Sequence, residues 1–322
     1  VVRRVVASRE KSPWDPYTID WGAVAPLKLR AATIAEGLYA GMHRSVLKGS
    51  GVEFAGQRPY VRGDDLRFVD KRSLLRHDRL MIREFETETD RALYLVVDAT
   101  ASMAFRGGGP ASKYPFAALL ALVLARVALD AGDPTGLLVI GGREPSFTRA
   151  SSSRDTFDRL ADLLVAVAPA GDWALQDEPF GRALAPVLER APRGSIVVLF
   201  SDLVDLPDSA VQRVVELATR RRRVFATRVL SPEEAELPFD DQSRFVALEG
   251  NVVVEASPVA ARRGYLAALA SSLAAWDRAL AVHGGAAYPA VTTDDPVRVA
   301  SDLLLLIRGL APTHRSPGGE AR

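Results

Sequence analysis

The chain has 322 residues, 48% hydrophobic and 25% charged, a composition that excludes a disordered or collagen-like chain. At about 150 residues per domain it holds two domains, or one large domain with an elaboration. Lys and Arg total 41 against 40 for Asp and Glu, a net charge of +1, which disfavours an obligate nucleic-acid partner. The absence of cysteine excludes disulfides, zinc-thiolate sites and cysteine nucleophiles.

His43, His77, His283 and His314 are too widely spread for a local histidine metal motif. No apolar run approaches the ~20 residues of a membrane span, so a cytoplasmic protein is expected. The first residue is Val, so that expectation covers only this chain.

In chain order, 1–27 reads as an N-terminal arm. Residues 27–47 predict a helix, with Leu29, Ile34, Leu38 and Met42 close to one face. Extended segments follow over 51–67, with turns at Gly56 and at Gly63 and Asp64. Residues 80–89 alternate, placing Glu84, Glu86 and Glu88 on one side of a strand.

From residue 92 onward strands alternate with helices. Strands are expected at 92–98, 136–140, 195–200 and 224–230, with shorter ones at 245–248 and 252–255. Helices are expected at 111–131, 155–167, 181–190, 209–222, 259–282 and 296–310. Short apolar strands between helices imply βαβ units. The fold class is therefore α/β: a doubly wound, mostly parallel sheet with helices on both faces, plus an N-terminal helix and β-rich extension over 28–90. The α/β domain spans 91–310, and 311–322 reads as a disordered tail.

Double winding sets the first strand of such a sheet beside the first strand of its second half, with ligands at their carboxyl ends. Here those strands are 92–97 and 195–200, followed by Asp98 and Asp202. After Asp98 come Thr100 and Ser102 at alternate positions. Oxygens so placed suit a hard cation such as Mg2+, which takes a few protein ligands plus waters. A further hydroxyl is expected from the serine run 151–153.

Asp98, Thr100, Ser102, a later hydroxyl and Asp202 resemble the metal-ion-dependent adhesion site of von Willebrand factor type A domains. Gly51, Glu53, Phe54, Arg58, Tyr60, Gly63, Asp64, Asp65 and Arg67 resemble the signature of the DUF58 family, whose members carry such a domain and are associated with MoxR-type AAA+ ATPases. The resemblance covers roughly 28–310. It implies a von Willebrand A-like fold and a metal-dependent binding module, not an enzyme. Mg2+, or alternatively Mn2+ or Ca2+, would lie on Asp98, Thr100, Ser102, Ser151 and Asp202. A MoxR-type ATPase is the implied partner, with a client protein offering Asp or Glu to the metal.

Three departures stand out: Thr100 replaces the motif's Ser, a Ser replaces its later Thr, and Phe68 to Lys71 replace an Asp-Trp pair. Ser151 is the best alignment for the later hydroxyl, with Ser152 and Thr148 as alternatives.

Ordinary roles compete at each position. Asp98, Thr100 and Ser102 suit loop and helix-start hydrogen bonding, and Ser152 with Asp155 suits a capping box. Asp64, Asp65, Arg58 and Arg67 suit a structural ion-pair network, and residues 220–223 suit a helix carboxyl terminus. A Mg2+-dependent phosphoester hydrolase is the enzyme alternative, disfavoured because no Lys or Arg adjoins Asp98, Thr100 and Ser102. A metal-free scaffold is the third.

Overall fold

The computed structural model describes residues 2–4, 27–43, 53–59, 81–86, 92–108, 111–172, 177–204, 206–240, 243–248 and 253–312. The chain divides into one unit of Val1–Tyr39 with Arg91–Arg322 and a second of Ala40–Asp90.

The large unit is built on a six-stranded sheet. Its strands are β4 (Leu93–Ala99), β5 (Thr135–Gly141), β6 (Ser146–Ser151), β7 (Ile196–Ser201), β8 (Arg223–Leu230) and β11 (Ala286–Val291). Their order is β11-β8-β7-β4-β5-β6. Every pairing is parallel except β5 with β6, which is antiparallel. This is the expected α/β architecture, with β4 and β7 adjacent at the centre.

Helices cover both faces. On one lies α2 (Lys113–Asp130), packed against α3 (Thr156–Ala166) and α8 (Pro296–Ile307). Thirteen of its eighteen residues are buried, because it is apolar all round and sits between the sheet and an outer layer. On the other face, α4 (Asp177–Arg190), α5 (Ala210–Glu216) and α7 (Pro258–Ala281) close a core that includes Tyr94, Val96, Leu199, Phe180, Val214 and Trp276.

Arg222, 1% exposed, donates to the carbonyls of Leu188, Ala191 and Pro192. Arg222 thus satisfies the carboxyl end of α4 and not that of α5, the helix that precedes it in the chain, at a place where orphan carbonyls need donors.

The N-terminal helix α1 (Leu27–His43) carries the unit boundary within it. Ala31 and Ala35 are fully buried, and Lys28 pairs with Asp158 at 3.1 Å and Asp162 at 2.7 Å on α3. The start of α1 therefore belongs to the large unit. The second unit holds a hairpin of β2 (Glu53–Pro59) and β3 (Met81–Glu86). Gly56 lies within β2 at a register irregularity instead of forming a turn, since glycine accommodates a bulge. The readings at Gly63, Asp64, Asp65, Arg67, residues 68–71, Glu88, most of the arm and the tail lie outside the described residues.

A small sheet of order β1-β9-β10 joins β1 (Val2–Arg4), β9 (Ser243–Ala247) and β10 (Val253–Ala256). The short α6 (Pro232–Glu236) follows β8. Among the described residues no helix is long and apolar enough to cross a membrane.

Candidate functional site

The site forms where β4 and β7 end side by side. Asp98, 3% exposed, accepts the Thr100 amide on Oδ1 at 2.9 Å and the Ser201 hydroxyl on Oδ2 at 2.6 Å. The chain then enters a 3-10 turn, Ala101–Ala104. That turn brings the buried hydroxyls of Thr100 and Ser102 to 3.1 Å from each other. Asp202 is 1% exposed, and its Oδ1 accepts the Val204 amide at 3.2 Å. Leu203 between them takes a left-handed φ of 53°, a conformation costly for a side chain with a Cβ.

Gly141 permits this crowding. Its φ is +91°, and a Cβ there would stand 2.5 Å from Ala99 C and Thr100 N. The Gly142 amide donates to the Ala99 carbonyl at 2.9 Å, as does the Ala170 amide. The Ala101 amide donates to Gly171 O, also at 2.9 Å, so the 168–172 loop lies across the site.

Lys113, the first residue of α2, is fully buried. Its ammonium donates at 2.8 Å to Asp202 Oδ2 and at 2.8 Å to Glu234 Oε1. Burial works to lower the Lys113 pKa, but the charges of Asp202 and Glu234 outweigh it and hold the group above its ordinary range. For Asp202 burial works upward, while the Lys113 charge and hydrogen bonds from Lys113 and Ser102 hold it below the usual carboxylate value.

Glu234 is itself fixed by a capping box. Its Oε2 accepts the Ser231 amide at 2.9 Å, and its own amide donates to Ser231 Oγ at 3.2 Å. Tyr265 on α7 donates its hydroxyl to the Glu234 carbonyl at 2.7 Å.

The fold therefore brings Asp98, Thr100, Ser102 and Asp202 to one end of the sheet. Ser151 is a correction. It pairs with Thr135, which pairs with Leu93 at the start of β4, whereas Asp98 lies across from Ile140. Five strand steps at about 3.3 Å put Ser151 roughly 17 Å away, at the other end of the sheet. Its hydroxyl bonds instead with Ser153 Oγ at 3.0 Å. Thr148 stands opposite Leu137, also back from the site, and Ser152 follows Ser151. The cause is β6, an antiparallel edge strand that carries the chain away from the site before the serines are reached. The loop that does return, 168–172, reads Ala-Pro-Ala-Gly-Asp and has no hydroxyl side chain.

Lys113, Ser201 and Glu234 are the residues that sequence reasoning missed. Lys113 had a signal: a charge opening a helix buried nearly all round must find a buried partner. A basic residue does accompany the motif, but two carboxylates engage it.

Beside Glu234 lies a cavity of about 310 Å3. Phe105, Leu237, Phe239, Phe245 and Tyr265 line it, with Glu233 and Glu234 on its wall. Arg262 braces that wall, donating to the carbonyls of Leu237 and Phe239 at 2.9 Å each.

Among the described residues no group of three or more His, Asp or Glu is arranged to hold a metal, so a cation here would rest on the hydroxyl oxygens together with Asp98 and Asp202. Two neighbouring ligands of an octahedral Mg2+ at about 2.1 Å stand about 3.0 Å apart. The Thr100 and Ser102 hydroxyls, at 3.1 Å, fit that spacing.

These features define an α/β protein with a buried carboxylate and hydroxyl cluster at the carboxyl end of its two central strands. The profile of the family "Protein of unknown function DUF58" matches residues 56–274, and the chain belongs to that family. It is similar to the uncharacterized protein Rv1480 of Mycobacterium tuberculosis strain H37Rv, at 29% identity over 225 residues and 67% of each chain. Among solved structures it resembles the hypothetical protein BatB from Bacteroides thetaiotaomicron, at 16% identity with a TM-score of 0.42, over 68% of this chain and 99% of that one. It also resembles a von Willebrand factor type A protein from Catenulispora acidiphila, at 14% identity with a TM-score of 0.37, over 66% of this chain and 41% of that one.

Proposed function

We propose that the chain is a protein-binding module whose recognition face is the carboxyl edge of the six-stranded sheet, and that it turns over no substrate. The reading is carried by the convergence of Asp98, Thr100, Ser102 and Asp202 from the ends of β4 and β7 into one buried cluster. Thr100 and Ser102 would hold Mg2+, or Mn2+ or Ca2+, and Asp98 and Asp202 would support them. When bound, the cation offers a coordination position to an Asp or Glu of a partner.

The chain's own residues do the positioning. Ser201 orients Asp98, Lys113 holds Asp202, and the 168–172 loop clamps Ala99 and Ala101. The aromatic cavity beside Glu234 supplies apolar anchoring area next to the polar contact, the combination on which interface hot spots depend. A MoxR-type AAA+ ATPase is the partner we assign, on the family resemblance, and the module would then act in the cytoplasm. Phosphoester hydrolysis is the weaker reading, because Lys113 is held by Asp202 and Glu234 and is not available to clamp a phosphoryl group.

A metal-free binding module is the second reading, favoured by the position of Ser151 and the lack of a hydroxyl in 168–172. Affinity capture from native cells, with and without EDTA, tests the choice, using the wild-type chain and a Thr100→Val, Ser102→Ala variant. Loss of the same ATPase partner on chelation and in the variant supports metal-dependent binding. Retention of that partner under both conditions supports the metal-free module, and the absence of any ATPase partner rejects the assignment.

A further inference from the structure

We infer that Lys113 and a divalent cation are alternative partners of Asp202, so that the lysine sets how much free metal the site requires before it fills. This rests on the metal-dependent reading above. Lys113 is fully buried, and its ammonium lies 2.8 Å from Asp202 Oδ2. A dication held by Thr100 and Ser102 at the end of β4 would sit close to that ammonium, since β7 pairs with β4 and Ser201, the neighbour of Asp202, bonds to Asp98. Two positive charges sharing one carboxylate in a water-poor pocket repel strongly. The metal therefore enters at full strength only as the lysine gives up Asp202.

A second carboxylate makes that exchange feasible. A buried ammonium cannot be left without a partner, and Glu234 Oε1 already holds Lys113 at 2.8 Å. The Glu234 carboxylate is anchored by the Ser231 amide and its main chain by the Tyr265 hydroxyl. It can therefore retain the lysine while Asp202 turns to the metal. Glu234 also lines the aromatic cavity, so the exchange would shift charge toward the wall of the proposed partner face. Lys113 thus acts as an internal competitor: it occupies the Asp202 end of the site at low metal and yields it at high metal.

Mn2+ binding to the purified full chain tests the inference, with free ion counted by electron paramagnetic resonance and folding checked by circular dichroism. Lys113→Met, which keeps most of the side-chain volume and removes the charge, is expected to bind Mn2+ about tenfold more tightly than wild type or better. Lys113→Arg, which keeps the charge, is expected to stay weak. Glu234→Gln leaves the ammonium to Asp202 alone and is expected to bind Mn2+ several-fold more weakly, which keeps the test alive if Lys113→Met does not fold. Equal affinity in wild type and Lys113→Met overturns the competition while leaving the metal site standing. Unchanged or tighter binding by Glu234→Gln also counts against it. No Mn2+ binding by any of the folded chains removes the metal-dependent reading, and the competition with it.

Discussion

Ser201 places its hydroxyl 2.6 Å from Asp98 Oδ2, joining positions 103 residues apart in the chain. The same hydroxyl oxygen accepts the Leu203 amide at 3.1 Å. Ser201→Ala removes a donor from a buried carboxylate and an acceptor from a buried amide. A loss of about 1.5–3 kcal/mol is expected from urea denaturation, the usual scale for a hydrogen bond to a charged group. A loss within error of zero would mean that this bond does not hold β7 to β4.

The crowding at Gly141 predicts a contrast with Gly132. Both have positive φ, +91° and +88°, but a Cβ at Gly132 meets nothing within 4 Å, whereas one at Gly141 meets Ala99 and Thr100 backbone atoms at 2.5 Å. Gly132→Ala should cost only the left-handed strain, about 1–2 kcal/mol. Gly141→Ala should cost more and also weaken Mn2+ binding, because the backbone it pushes carries Thr100. Equal losses in paired denaturation curves would contradict the close approach.

Three hydroxyl variants separate the two ends of the sheet. Thr100→Val and Ser102→Ala are expected to weaken Mn2+ binding about tenfold or more, because each removes a ligand oxygen from a cation that takes few protein ligands. Ser151→Ala is expected to leave it unchanged. A titration in which Ser151→Ala is the damaging variant would return the third ligand to β6.

Alkaline pH probes the packing around the sheet. Burial, followed by the charge of Glu234, pushes the Tyr265 phenol up to about 12. Burial raises Tyr114, and burial with its 2.9 Å bond to Asp302 raises Tyr288. A raised pKa means that the folded state holds the proton more tightly. Their contribution to stability is therefore complete below the unfolded value near 10 and falls as pH rises through 10 toward 12 and beyond. Phenolate absorbance should show at least three of the seven tyrosines still protonated near pH 11, ionising in step with unfolding. Ionisation of all seven near pH 10 in the folded protein would exclude this packing.

Most of the architecture was readable because its strands are short, apolar and spaced by helices. The adjacency of Asp98 and Asp202 followed from double winding alone, without any contact information. What escaped had weak local signals. β6 reads Ser-Phe-Thr-Arg-Ala-Ser and is only half-buried, as an edge strand can be, so it lacks the apolar run that marks its neighbours. β11 follows Gly284 and Gly285 and contains Pro289, which an edge strand tolerates. Overlooking β6 misplaced Ser151. Lys113 and Glu234 lie 121 positions apart, and their meeting depends on where β8 ends relative to the start of α2, which residue spacing does not record.

The separation of Asp98 from Ser201 also bears on how the molecule is made. At about 5–20 residues per second of synthesis, Asp98 leaves the ribosome roughly 5–20 s before its hydroxyl partner exists. For that interval its carboxylate has only water and the amide of Thr100 to turn to, and β4 has no β7 to lie against. The Asp98–Ser201 pair therefore cannot form until β7 has been made, and a nascent chain stalled before residue 201 presents a central strand with one open edge.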